Sequence, residues 1–228
     1  NETLMIKNTA TIDLNGNMLK SSASRFIRIQ NDGTNPMSVN IKNGEIINNT
    51  KGGRCVETRS GNINLTLDGV KMTSYGYKDS NNYAQPFTVG GSGNNIKVTI
   101  KNSYIDTDYY AIMTFNPAVI TLDNTVLNGY TTVYFKPATG SEGSNGTIFN
   151  VTNNSVINSV NNSAGETNAS SAFQFADTGV SVNIDASSTI TAAANKNYQH
   201  FFAIGNEVDN AEVCTATVRI DDGATLTA

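Results

Sequence analysis

The segment from Ser38 to Asn49, SVNIKNGEIINN, alternates apolar and polar positions, pauses at Asn43-Gly44 and ends on a second apolar pair. The same phrase returns at Leu65 to Met72, Val98 to Ile105 and Ile120 to Leu127, with weaker copies at Phe149, Val182 and Val218 and an early variant at Ile12. Period-2 alternation over so few residues predicts short strands with one buried face, and no segment carries a helical period. Aligning the second apolar residue of each copy gives Leu14, Ile41, Leu67, Ile100, Leu122, Val151, Ile184 and Ile220, at uneven spacing. The rungs are therefore regular and the loops between them are not.

A second alternating run follows each copy, centred on Ile27, Val56, Phe87, Ile112, Val133, Phe173 and Phe202. Each repeat thus holds three strands, which predicts an all-β, single-stranded parallel β-helix of about 7 to 8 coils, one domain spanning residues 1–228. A β-sandwich would need hairpin signals between strands, and a fixed motif with a delayed third strand argues against it. Two positions beyond the aligned residue stand Asn43, Gly69, Asn102, Asn124 and Asn153, then Ala186 and Asp222. Asn and Gly tolerate the left-handed backbone of a sharp corner, and stacked Asn amides can bond from coil to coil. The residue before that corner runs Lys42, Asp68, Lys101, Asp123, a column whose alternating signs suit pairing between neighbouring coils.

Charge removes some classes of partner. Only 15% of residues are charged, the formal net charge is -4 and no Lys/Arg run occurs, so neither nucleic acid nor an anionic membrane is an expected partner. No apolar run approaches the roughly 20 residues needed to span a bilayer. The chain opens at Asn1 rather than Met and closes on Thr-Ala228 partway through a coil, which reads as a piece of a longer protein. Cys55 and Cys214 fall in distant coils, far beyond the Cα separation of about 7 Å that a disulfide spans, so two free thiols are expected, with Cys214 in phase with the buried positions Ala216 and Val218.

The Asn corner ladder, the opening Thr11-Ile-Asp-Leu-Asn-Gly16 and the phrase from Asn102 to Ile112, NSYIDTDYYAI, resemble the right-handed parallel β-helix proteins of the pectin-lyase-like superfamily, in particular the repeat regions of bacterial surface proteins. The resemblance implies a right-handed coil. It also implies that an enzyme of this kind would carry its catalytic groups on the outward column Arg28, Glu57, Thr88, Met113, Tyr134, Gln174 and Ala203. A calcium-dependent lyase needs several carboxylates there and a basic Arg; only Glu57 is acidic, and Arg28 is placed to pair with it. A hydrolase would lean on Asp106 and Asp108, about 6.6 Å apart along one strand face, which suits an inverting mechanism. Tyr109 breaks that acidic pair, and the single His200 lies several coils away. Asp106, Asp108 and Glu57 are thus the catalytic candidates, set against a reading of two solvated aspartates and one ion pair. Nothing in the sequence calls for a metal or a cofactor.

Tyrosine carries the stronger functional signal. Of 9 tyrosines, Tyr75, Tyr77, Tyr83, Tyr104, Tyr109, Tyr110, Tyr130 and Tyr134 crowd the middle of the chain. Exposed aromatic faces beside Asn, Asp and Gln are what sugar rings stack on and what protein interfaces use as anchors. The ligand-binding candidates are Tyr77, Tyr104, Tyr109, Tyr110 and Tyr134, and the expected function is an extracellular or cell-surface module that binds a polysaccharide or a surface protein. Three alternatives stand beside it: a polysaccharide lyase or glycoside hydrolase, a stalk without a ligand, and tyrosines that pack against their own coils under the long loop from Ser74 to Pro86.

Overall fold

The computed structural model describes residues 2–76, 83–91, 93–137, 143–160, 170–193, 199–205 and 214–228. In these segments the chain forms strands β1 (Leu4–Ile6), β2 (Ala10–Asp13), β3 (Met18–Ser21), β4 (Arg25–Gln30), β5 (Met37–Asn48), β6 (Arg54–Arg59), β7 (Ile63–Ser74) and β8 (Phe87–Gly90). It continues with β9 (Ile96–Lys101), β10 (Tyr104–Thr107), β11 (Ile112–Thr114), β12 (Ala118–Asp123), β13 (Val126–Gly129), β14 (Thr131–Phe135) and β15 (Ile148–Thr152). The last are β16 (Val156–Ser159), β17 (Ser170–Phe175), β18 (Val180–Ile184), β19 (Thr189–Ala192), β20 (Gln199–Ile204), β21 (Ala216–Ile220) and β22 (Thr225–Thr227). No helix occurs among the described residues.

Every strand pairing is parallel, and the strands stack into a β-solenoid with three strand columns. One column is an 8-stranded sheet in the order β1-β4-β6-β8-β11-β14-β17-β20. The other two columns are joined into a 14-stranded sheet, because β5 and β7 each run through the corner as a single strand. Strands with a partner on both sides define about 6 turns, slightly fewer than the sequence pattern predicts, since the outermost strands β1, β2, β3, β20, β21 and β22 are paired on one side only.

Register follows the apolar pattern rung by rung. Ile41, Leu67, Ile100, Leu122, Val151, Ile184 and Ile220 align in one column, and Ile27, Val56, Phe87, Ile112, Val133, Phe173 and Phe202 in another. The first coil departs from expectation: Ile12, not Leu14, pairs with Ile41. Leu14 lies past the strand end, buried at the corner beneath Gly44, whose missing Cβ would stand 2.5 Å from the Leu14 Cβ. The corner itself behaves as the sequence predicts. Asn43, Asn102, Asn124 and Asn153 and Gly69 all take positive φ, between 48° and 63°.

The core is a column of stacked like residues. Aliphatic side chains such as Val39, Ile41, Leu65 and Leu67 fill the early coils, and phenylalanines take over in the later ones. Phe135 and Phe175 stack at 5.2 Å between ring centroids, Phe173 and Phe202 at 5.6 Å, and Phe149 meets Phe173 edge-on at 5.8 Å. Flat rings suit a slot whose height is set by the strand spacing of about 4.8 Å. Outside, Lys42 pairs with Asp13 at 3.2 Å and Lys101 with Asp68 at 3.1 Å, so the alternating charge column joins neighbouring coils. Neither cysteine is in a disulfide; Cys55 is buried, whereas Cys214 precedes β21 and is half-buried rather than seated in the core.

Candidate functional site

The outward column named from sequence is assembled in register: Arg28, Glu57, Thr88, Met113, Tyr134, Gln174 and Ala203 stand on successive strands of the 8-stranded sheet. It is not an open acidic groove. Glu57 is 1% exposed. Arg28 Nε donates to its Oε2 at 2.8 Å, Arg25 Nε to Oε1 at 3.4 Å, and Arg54 Nη1 to Oε1. A carboxylate sealed beneath three guanidiniums is a counterion and is not presented to a substrate. The sequence expectation of an Arg28–Glu57 pair holds, but Arg25 and Arg54 escaped it. They sit where β4 and β6 begin, in register with each other at the bend, and alternation does not predict side-chain direction there.

Beyond Glu57 the same outer face carries a second apolar cluster: Tyr109, Tyr110, Met113 and Tyr130, with Tyr83, Phe115 and Tyr134 packed at its margin. Tyr83 lies 4.3 Å from Tyr109 between centroids, Tyr109 meets Tyr110 edge-on at 4.4 Å, and Tyr110 stacks on Tyr134 at 5.0 Å. Tyr109 and Tyr110, expected as exposed ligand-binding residues, are only 3% and 7% exposed. Their rings pack where three successive coils lie side by side: Tyr110 N donates to Ala84 O at 3.2 Å, and Tyr130 N to Tyr109 O at 2.8 Å. Tyr134 is half-buried at the edge of this cluster. Tyr77 lies outside the described residues.

Among the described residues, the exposed tyrosines lie on a different face, formed by β7, β10 and β13. Tyr104 is 36% exposed, and Tyr75, just past β7, is 53% exposed. Tyr75 donates its hydroxyl to Asp106 Oδ2 at 2.6 Å, and the Tyr104 hydroxyl accepts from Asn128 Nδ2 at 2.7 Å. The bond to Asp106, then burial and the nearby charge, raise the Tyr75 hydroxyl well above the usual phenol range. Lys71, in register with Tyr104, pairs with Glu45 at 2.8 Å. Asn158 extends the row by donating to Asn128 Oδ1 at 2.9 Å. The result is a pair of phenol rings whose polar ends are tied down and whose neighbours are fixed amides and charges. Of the sequence candidates only Tyr104 belongs here; Tyr75 was visible as part of the tyrosine cluster, but not as a residue that alternation would turn outward.

Asp106 lies on β10 and Asp108 one residue beyond its end, so the strand that the spacing presumes stops short of the second carboxylate, and each is engaged separately. Asp106 takes the Tyr75 hydroxyl, while both oxygens of Asp108 accept from the Gly76 amide at 3.2 and 3.1 Å. Burial raises the Asp108 carboxyl above its ordinary value against the lowering effect of the Gly76 amide. His200 is exposed on β20, in register with Ser171 at the far end of the 8-stranded sheet. It is not brought to Asp106 on β10 or to Asp108 just past it. Among the described residues, no group of three or more His, Cys, Asp or Glu side chains is placed to hold a metal ion. No family model, no curated protein and no solved structure matches this chain, so its reading rests on the solenoid and on these two outer faces.

Proposed function

We propose that this chain is an extracellular or cell-surface binding module, a β-solenoid of the pectin-lyase-like kind, that holds a glycan against the Tyr75 and Tyr104 rings. The observation that carries the reading is the exposure of both rings on one face while their hydroxyls are anchored on Asp106 and Asn128. A sugar ring stacks on an aromatic face through its C–H groups and hydrogen-bonds at its edge, and here Lys71, Asp106 and Asn128 supply edge partners around the rings. Anchoring the phenols before the ligand arrives lowers the ordering cost of binding. The regular coils above this face then serve to carry it. The competing enzymatic reading has less support, because Glu57 is sealed beneath three guanidiniums and both oxygens of Asp108 accept from the Gly76 amide, which leaves no second carboxylate to work with Asp106.

Affinity electrophoresis through gels cast with xylan, a neutral glucan, alginate, polygalacturonate and mucin tests this. Retardation by one or more polymers, with the polymer size unchanged, is expected, and replacing Tyr75 and Tyr104 together by Ala should weaken it about 10-fold. Retardation that survives the double substitution would move the site elsewhere, shortened polymer would make the chain an enzyme, and no retardation by any polymer would leave a protein ligand or a stalk.

A further inference from the structure

We infer that the Arg25, Arg28 and Arg54 cluster is a second ligand site, which receives an ester oxyanion, sulfate or phosphate, borne by a polysaccharide. The three guanidiniums converge on one carboxylate, Glu57, and among the described residues no other acid pairs with them, which leaves two positive charges uncompensated. The surplus grows toward Phe115, whose ring lies 5.2 Å from the Arg54 guanidinium carbon and 4.9 Å from Lys136 Nζ. A chain whose formal net charge is -4 therefore gathers Arg25, Arg28 and Arg54 around a single acid, with Lys136 close by over the Phe115 ring that Arg54 also meets.

This cluster is more than a structural ion pair for three reasons. First, Arg25 and Arg28 are reachable: their side chains are 41% and 23% exposed, while Glu57 is sealed below them. Second, each guanidinium offers five N–H donors, and the bonds to Glu57 occupy only a few of them. Third, mutual repulsion is built in; Arg54 loses basicity to burial, and Arg25 and Arg28 push in the same direction against the pull of Glu57. An incoming anion relieves that repulsion. A carboxylate has two oxygens and already occupies the floor of the site as Glu57. A tetrahedral ester has three terminal oxygens to share among three planar forks, which makes it the better match. Gly90 keeps the neighbouring rung clear, since a Cβ there would stand 3.1 Å from Glu57 Oε1.

The inference shares with the proposed function the premise that the chain binds glycans, but it concerns a different face. Its test uses the whole chain with dextran, dextran sulfate, dextran phosphate and polygalacturonate as probes, by affinity electrophoresis at several salt concentrations. Arg25→Ala is the informative variant, because Arg25 is the most exposed of the three and makes the longest bond to Glu57; Lys97→Ala on the 14-stranded sheet is the charge-matched control, and circular dichroism checks that both fold. Dextran sulfate or dextran phosphate should retard the protein where dextran does not, with the stronger of the two naming the ester. Arg25→Ala should weaken that binding about 10-fold and Lys97→Ala less than about 2-fold. Equal losses in the two variants would reduce the effect to general electrostatics, retardation by polygalacturonate as strong as by either ester would overturn the tetrahedral match, and indifference to all charged polymers would overturn the site. Retardation by an uncharged polymer that survives the Tyr75 and Tyr104 substitution, with the dextran sulfate arm still dependent on Arg25, would strike the proposed function alone.

Discussion

Asn124 donates its side-chain amide to Asn102 Oδ1 at 2.9 Å, from the same corner one coil away, and both residues hold positive φ, 48° and 50°. Asn102 passes the bond on, donating to Asp68 Oδ1 at 3.0 Å. One residue type thus satisfies two demands at the corner, a left-handed backbone and a link along the axis. Replacing Asn102 by Ala removes both bonds and places a Cβ residue at positive φ without compensation, at a cost of about 1 to 3 kcal/mol. Asn102→Gly should cost less, because it loses the bonds but not the conformational fit. Urea denaturation of the two variants, compared at equal m-values, checks the order.

Acid should loosen the outer charge column. The Asn102 amide, then Lys101, holds Asp68 below the usual carboxylate range, and the Asn15 backbone amide, then Asn43 and Lys42, does the same for Asp13. A carboxyl whose folded value lies below its unfolded value contributes stability above the unfolded value, about 3.9, and loses it as pH falls through the folded one. Asp108 carries the opposite sign, since burial raises it; its contribution is present in acid and is lost as pH rises through its folded value. Asp108→Asn is therefore expected to raise the melting temperature at neutral pH and to lose that advantage in acid. Thermal melts of parent and variant across this pH range read the crossover.

The phenylalanine column is where the later coils are held together. Phe173 is fully buried and touches Phe149, Phe175 and Phe202 in the stack. Truncation to Ala should cost about 3 to 5 kcal/mol, and Phe173→Leu clearly less, as measured by chemical denaturation. An Ala variant whose midpoint does not move would show that the slot collapses freely.

Burial pushes the Cys55 thiol up to about 12, and its Sγ–H has only the carbonyls of Ile46 and Thr73 to meet, at 3.5 and 3.3 Å. The thiolate is the reactive form, so Cys55 should resist a thiol-specific chromogenic reagent at mildly alkaline pH until the protein is unfolded. Labelling followed by peptide mapping distinguishes it from Cys214. Fast modification of Cys55 in the native protein would contradict the packing described here.

The coil was legible because a parallel stack repeats one local rule. Val98, Ile100 and Ile105 announce the same two strands as Leu65, Leu67 and Met72, and Asn102 marks the corner between them. Leu14 misled because it is apolar and one alternation step past the true strand end, and only the partner coil, through Ile41, decides which residue is in register. The sites were harder to see for a related reason. Tyr109 and Tyr110 lie past the end of β10, where alternation no longer assigns a direction, and Tyr83 and Ala84 of the neighbouring coil pack against them, so their burial on the outer face is a tertiary event. Arg25 and Arg54 meet at a bend, where period-2 reasoning assigns no direction.

Because the register of each column is kept while the loops differ in length, coil number acts as a ruler. Both outer faces, Tyr75 with Tyr104 and Arg28 with Glu57, sit on early and middle coils, and the phenylalanine-filled coils follow them. Duplicating a coil such as the one that contains Phe149 would lengthen the body by about 4.8 Å without altering a residue of either face. Reach and recognition are therefore free to vary independently in this architecture, one by repetition and the other by substitution.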